Sequence, residues 1–400
     1  MTTQTTTNLS DSVRAQYAAL YQKVAYNTRL YDMLAEPVGG ISMAEAIKGS
    51  SVVLPYLGSM APATSAISQT ADLTPVVLED TTASITPTSR ANALSWAEAI
   101  DIQAYTDYGA ERYVKLAENM SESIDLLAQA QALQGSWVER AAARASLDAG
   151  TPAHRASDSI FRKYQGMLAT LKVPGFIDNA GMANWAAIMH PFSFHDICES
   201  GNVDAIGLYQ DAGIHLNFEL GKVGPFRLVV SAFAKVFAGA GVDNATAVAD
   251  TLASAAAALD KTYVTSSDDS TNVAVGLFWN IGTEETANTH YATNEQVKNL
   301  SASTVTITFT GQGENGGFRF AHLAGVAVNN NDSVYPICFG GPKSLKKVHV
   351  PGWEFGTIVG PKVDGLVDQF GSLGWKFYGG YGRPTENTIL RFEGSTSYEA

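Results

Sequence analysis

Val334-Tyr335-Pro336-Ile337-Cys338-Phe339-Gly340-Gly341 is the most informative segment of this chain. It is a short apolar run, rich in aromatic and β-branched residues and closed by two glycines, and it reads as a buried strand. Roughly thirty residues later comes Gly374-Trp375-Lys376-Phe377-Tyr378-Gly379-Gly380. A turn at Gly382-Arg383-Pro384-Thr385 follows, and Thr388-Ile389-Leu390-Arg391-Phe392-Glu393 closes the block as a last strand.

Upstream of this block the pattern is mixed. Residues 1–9 are a Thr-rich polar arm too poor in apolar residues to fold alone. From Ser10/Asp11 a helical stripe begins, with Val13, Tyr17, Leu20, Tyr21 and Val24 on one face. It continues loosely to Leu34 and stops at Pro37-Val38-Gly39-Gly40. Val52-Val53-Leu54-Pro55-Tyr56-Leu57 and the Thr-rich alternation up to Arg90 read as an extended ribbon around a long loop. A two-stranded ribbon is marginal by itself in water, so this one rests on another element or another subunit.

Asp107 to about Leu133 carries the strongest helical signal, with Tyr113, Leu116, Met120, Ile124 and Leu127 spaced by three and four. Such a helix is roughly 40 Å long. Gly135 ends or bends it, and Trp137 to Ala145 reads as a second helical piece. A helix capped by Ser157/Asp158 runs through Phe161, Tyr164, Leu168 and Leu171 to Pro174-Gly175. Another follows near Phe192 to Ser200, with strands near Ile214 to Phe218 and Phe226 to Ser231. From about Ala238 an Ala-rich segment leads into short strands at Asn272–Trp279, Thr304–Thr310 and Phe318–Leu323, which read as a β-rich insertion with polar loops.

Few constellations suggest chemistry. Gly311-Gln312-Gly313-Glu314-Asn315-Gly316 fits GxGxxG and follows a strand, but a dinucleotide site needs a helix next. Gly317-Phe318-Arg319-Phe320 alternates instead, which favours a hairpin loop. His190, His195 and Cys198 lie close in sequence, yet a structural zinc site needs four ligands and no second Cys/His pair is near. A structural role is the better reading. No P-loop, GxSxG, HExxH or EF-hand loop occurs, so no catalytic, cofactor-binding or metal residue is assigned.

Composition narrows the class further. Four hundred residues with 46% hydrophobic content allow sizeable cores, while no apolar run reaches the ~18 residues of a membrane helix. The start lacks a basic n-region and an apolar h-region, which argues against a secretory signal. Both cysteines, Cys198 and Cys338, sit in apolar contexts and read as small buried hydrophobes. A net charge of -13 gives no counterion-release drive toward DNA. Two basic clusters, Lys343/Lys346/Lys347 and Arg155/Arg162/Lys163, read as solvated faces or as partners for acidic surfaces of neighbouring subunits.

The "YP…FG" strand, the "GWK" segment and the terminal Arg-Phe-Glu strand together resemble the major capsid proteins of tailed phages, the family typified by coliphage N-four. Arg29-Leu30-Tyr31-Asp32-Met33-Leu34, Tyr105-Thr106-Asp107-Tyr108-Gly109 and Ile188-Met189-His190-Pro191 add to the resemblance. It implies an α+β fold of the type named after phage Hong Kong 97. It further implies an N-terminal arm at 1–50, an extended loop at 51–95, and a peripheral domain with a spine helix at 96–165 and 371–400. An axial domain would occupy 166–237 and 331–370, with the insertion at 238–330 unmatched to the family's core.

Function follows from that resemblance as an expectation: a coat protein forming hexamers and pentamers of an icosahedral head around double-stranded DNA, without sequence-specific binding, cofactor or membrane. It would be assembled in the host cytoplasm and end in the virion. Scaffolding, portal and decoration proteins are further partners such a subunit can have. Contacts between copies are expected at Val13, Tyr17, Leu20, Val52, Leu54, Tyr56, Lys343, Lys346 and Lys347. The alternatives are a ligand-binding protein or enzyme built on the α+β domain, and a glycan-binding virion surface protein.

Overall fold

The structure is a computed structural model. It describes residues 29–38, 51–57, 80–97, 108–177, 181, 183–199, 204–205, 219–242, 249–267, 278–282, 295–302, 305–311, 316–349, 356–364 and 370–399. In chain order the strands are β1 (Ala35–Pro37), β2 (Val52–Leu57), β3 (Asp80–Ile85), β4 (Thr88–Ala97), β5 (Val138–Arg140), β6 (Phe176–Ile177), β7 (Ala183–Met189), β8 (Asp204–Ala205), β9 (Glu219–Val223) and β10 (Phe226–Val230). They continue with β11 (Ala249–Thr251), β12 (Thr262–Val264), β13 (Phe278–Ile281), β14 (Glu295–Ala302), β15 (Thr306–Thr310), β16 (Ala327–Asn329), β17 (Tyr335–Gly340), β18 (Leu345–His349), β19 (Thr357–Asp364), β20 (Phe370–Gly382) and β21 (Ile389–Gly394). The helices are α1 (Tyr108–Leu133), α2 (Asp158–Thr170) and α3 (Pro191–Glu199).

The chain divides into two compact units, one of 1–29, 35–124 and 343–385, the other of 30–34, 125–342 and 386–400. In the first, β20 is the organising strand. It pairs antiparallel with β18 and β19 along one edge and with β4 over ten residue pairs along the other, and β1 adds in parallel to β18. The "GWK" segment lies in β20, where Leu373, Trp375 and Phe377 alternate inward. Helix α1, which belongs to this unit as far as Ile124, packs on this sheet there: Asn119 Oδ1 accepts a hydrogen bond from the Trp375 indole at 3.0 Å, and Met120 occupies the space a side chain at Gly356 would need. The ribbon β2–β3 is anchored at its base, where Val52 and Ile85 pack with Val348. Gly382 lets Ile85 approach, since a Cβ there would meet Ile85 Cγ1 at 2.5 Å.

In the second unit an eight-stranded sheet runs β5-β21-β17-β7-β10-β9-β8, with β6 attached to β7. Every residue of β17 and of β21 is buried, as the opening stretch predicts. Pro336 is tolerated because β17 meets β7 only at Cys338–Gly340, so the missing N–H falls beyond the end of that neighbour. Helix α2 covers the sheet with Phe161, Tyr164 and Leu168. Tyr164 stacks on Phe339 at 4.4 Å, and its hydroxyl donates to the Arg391 carbonyl at 2.9 Å. A separate six-stranded antiparallel sheet, β11-β16-β13-β14-β15-β12, encloses its own core of Trp279, Tyr263, Phe309 and Phe318.

Several expectations need correction. Trp137–Ala145 is not helical: β5 pairs in parallel with β21, and only Arg144–Ser146 forms a 3-10 turn. Phe318–Leu323 is not a strand, because Glu295 takes the Arg319 and Phe320 N–H groups at 2.9 and 3.2 Å and leaves one bridge, His322 with Ala256. The helical stripe does not reach Leu34. Asp125 Oδ1 accepts from the N–H groups of Leu30, Tyr31 and Asp32, which starts a 3-10 turn at Tyr31 and then β1. Cys338 is buried but Cys198 is exposed.

Strands β18 and β19 join β20, while β21 lies beside β17, because backbone hydrogen bonds and not sequence proximity choose a strand's neighbour. The expected helix over 10–28, the strand at 214–218, most of Asn272–Trp279 and Gln312–Asn315 lie outside the described residues.

Candidate functional site

The expected contact residues fall into three groups. Val13, Tyr17 and Leu20 lie outside the described residues, as does the side chain of Tyr56. Val52 is buried and Leu54 half-buried against their own unit, and alternation turns Val53 outward, 51% exposed. Lys343 and Lys346 share Glu36, with Lys343 Nζ 3.0 Å from Oε1 and Lys346 on Oε2. Hydrogen bonds from Lys346 and Lys343 hold the Glu36 carboxyl below its usual range. Lys347 is half-buried, and its carbonyl accepts the Val38 N–H at 3.1 Å.

Strand β4 has the opposite character to β17. Of its ten residues, Thr88, Ser89, Ala91, Asn92, Ala93, Leu94 and Ser95 are exposed, so neither face of most of the strand is covered. Trp96 lies under the Arg112 guanidinium at 4.3 Å, and Asn92 donates to Asn119 at 3.1 Å.

A charge cluster sits in the closing strand of the second unit. Glu393 is completely buried, yet it takes hydrogen bonds from Arg140 Nε, Arg144 Nε and Arg144 Nη2, and lies 3.0 Å from Arg391 Nε. Burial pushes its carboxyl up, but the bonds from Arg144 and Arg140 and the Arg391 charge outweigh that and leave it below the usual range. Arg391 also donates to the Leu133 carbonyl, satisfying a group left open at the end of α1. In the sequence, Arg391-Phe392-Glu393 carries the family resemblance but no expectation of this charge cluster. Two charges in an otherwise buried run were the available signal.

The sequence-adjacent His190, His195 and Cys198 do separate work. His190 is buried against Phe192 and Tyr335, accepts the Phe192 N–H at 3.3 Å, and is pulled by burial to about 4. His195 lies beside Asp196 and Glu199. Asp196 accepts from the Ser397 hydroxyl and N–H, and Tyr398 stacks on Phe192 at 4.5 Å. The tail then delivers Glu399 to Tyr335, Gln296 and Ser333, and burial raises its carboxyl. This segment therefore ties the eight-stranded sheet to β14. The glycine loop is closed by Gly311 N–H to the Gly316 carbonyl at 2.7 Å, with no helix in the described residues that follow it up to 349.

No family model matches the chain, and no curated protein does. Among solved structures it is similar to the capsid of Ralstonia phage GP4, at 10% identity and a TM-score of 0.50, over 92% of this chain and 86% of that one. The capsid of cyanophage P-SCSP1u follows at 12% identity and 0.49, over 92% and 88%. Mycobacterium phage Che8 gives 9% and 0.48, over 91% of each. Such identities speak to fold alone, and the Ralstonia phage GP4 likeness carries it: the chain has the α+β coat fold that the sequence resemblance implies.

Proposed function

We propose that this chain is a major capsid protein, assembling as hexamers and pentamers into the icosahedral shell around a tailed phage's double-stranded DNA. One observation beyond the fold supports it most. β4 lays ten residues along β20 with most side chains in water, held by backbone bonds and little burial. A strand left this uncovered among the described residues is a liability for a free monomer and an asset for a subunit that another copy covers.

The role is structural, not enzymatic, and the location is the virion after assembly in the host cytoplasm. The -13 charge suits a wall that encloses DNA without gripping it. Scaffolding, portal and decoration proteins would meet this shell. The unit built on β20 and α1 corresponds to a peripheral domain, the eight-stranded sheet to an axial one, and the six-stranded sheet to the insertion. Residues before 29, the ribbon around Val53, and the Lys343–Lys347 stretch are the contacts to test first.

Size-exclusion chromatography and negative-stain microscopy of the expressed protein decide the matter. Uniform shells or ring-shaped capsomers are expected, and a small globular oligomer at every concentration overturns the reading. A cut before Arg29 is the cleaner arm deletion, since removing residues 1–40 also takes away Glu36 and leaves Lys343 and Lys346 without their carboxylate.

A further inference from the structure

The segment Ser136–Arg140 carries two large side chains held from behind and open in front. β5 ends the eight-stranded sheet, with β21 as its partner among the described residues. The Trp137 indole donates to Asn387 Oδ1 at 2.9 Å, and Ser136 donates its N–H and hydroxyl to Glu386 at 3.0 and 3.1 Å. Trp137 is nevertheless 39% exposed. Arg140 gives its Nε to buried Glu393, while its side chain is 31% exposed and no group among the described residues takes Nη1 or Nη2. The edge left open is the two-pronged one, which receives a carboxylate end-on.

Charge gives the edge an occupant. Among the described residues Arg140 has no carboxylate to itself: the one it reaches, Glu393, is also held by Arg144 and Arg391. Glu139 does not compensate, being paired with Lys163, and Arg162 is matched by Asp158. Tryptophan and arginine are the residues on which protein interfaces most often depend. Here both are fixed by hydrogen bonds before any partner arrives, so little side-chain freedom is left to lose on binding.

The geometry points to Ser136–Arg140 as a contact surface for a second copy of this chain, in which Arg140 receives a carboxylate of the neighbour and Trp137 packs beside it. This rests on the self-assembly reading. Nucleic acid is the less suited occupant: a copy of net charge -13 brings carboxylates to any cation it approaches, and the same charge repels a phosphate polymer.

The test uses full-length protein, comparing wild type with Arg140→Ala, Arg140→Lys and Trp137→Ala by light scattering and sedimentation across about 50 to 500 mM NaCl. Thermal melting of unassembled subunits reports whether each variant folds. Arg140→Ala is expected to raise the concentration for half-assembly by about tenfold or more, with the difference shrinking as salt rises. Arg140→Lys keeps a charge beside Glu393 and so tests the fork without the risk of unfolding; it should recover only part of the loss. Trp137→Ala should impair assembly with little salt dependence. Folded Arg140→Lys and Trp137→Ala variants that assemble like wild type overturn the proposal, as does an Arg140 effect confined to DNA retention. If wild type forms no shells, its small-oligomer affinity decides: weakening by Arg140→Lys keeps this surface and removes only the shell, whereas a wild type monomeric at about 100 μM removes both.

Discussion

β17 and β4 are both strands placed along a longer sheet, and they differ in what holds them. All six residues of β17 are buried between α2, β7 and β21, so side-chain packing and backbone bonds act together. β4 has the backbone bonds and almost none of the packing. Since apolar burial is the main favourable term in folding, the second unit has a complete core of its own at β17. The first unit shows at β4 a surface with little stabilisation of its own, which on the proposed reading another copy would supply.

Breaking the β17 side should have the largest effect. Phe339→Ala opens a cavity among Phe161, Tyr164 and Phe226 and should cost about 3–5 kcal/mol in urea unfolding. A loss below about 1 kcal/mol would mean the sheet is not closed as described. Glu393→Ala strips three arginines of their shared carboxylate and should cost about 3–5 kcal/mol by the same assay, with Glu393→Gln intermediate. Gly382→Ala pushes a methyl against Ile85 and should cost about 1–3 kcal/mol, loosening the ribbon base; faster proteolysis within residues 51–85 is the signature.

A pH effect comes next. Burial raises the Asp125 carboxyl to about 7, against three N–H groups that favour its charged form. The stability from its neutral form is therefore complete below the unfolded value near 4, and is lost as pH rises to about 7, with a slope of at most ~1.4 kcal/mol per pH unit. Asp125→Asn should flatten that slope relative to wild type between about pH 4 and pH 7, and an unchanged slope counts against it. The smallest effect belongs to β4. Leu94→Ser alters a side chain already 40% exposed, so subunit stability should move by no more than about 0.5 kcal/mol, while shell yield falls. Equal yield would show that this face stays open in the assembled state.

The strands and helices with strong periodicity were legible in the sequence. The 26-residue α1 lies within a residue of its expected limits, and its buried stripe holds Tyr113, Leu116, Met120 and Ile124. Trp137–Ala145 was misread because its residues favour helix while its backbone is taken by β21 and its arginines by Glu393. Propensity is local, and a distant strand and a buried charge overrode it. The candidate contact surface lies in that same misread segment. Val52 and Leu54 were singled out as apolar, but only their position on the ribbon shows that they face inward and Val53 outward.

Apolar spacing and apolar runs in the sequence were enough to place α1, α2 and the strands β17 and β21, and the sequence carried the resemblance from which the coat fold was expected. Tertiary structure alone decided that β20 gathers β18, β19 and β4, that Asp125 caps the turn at Tyr31, and that Glu393 collects three arginines. The reason is physical: periodicity is written in neighbouring residues, whereas strand partners and buried charge pairs join residues up to hundreds of positions apart, and only the folded chain brings them within hydrogen-bonding distance.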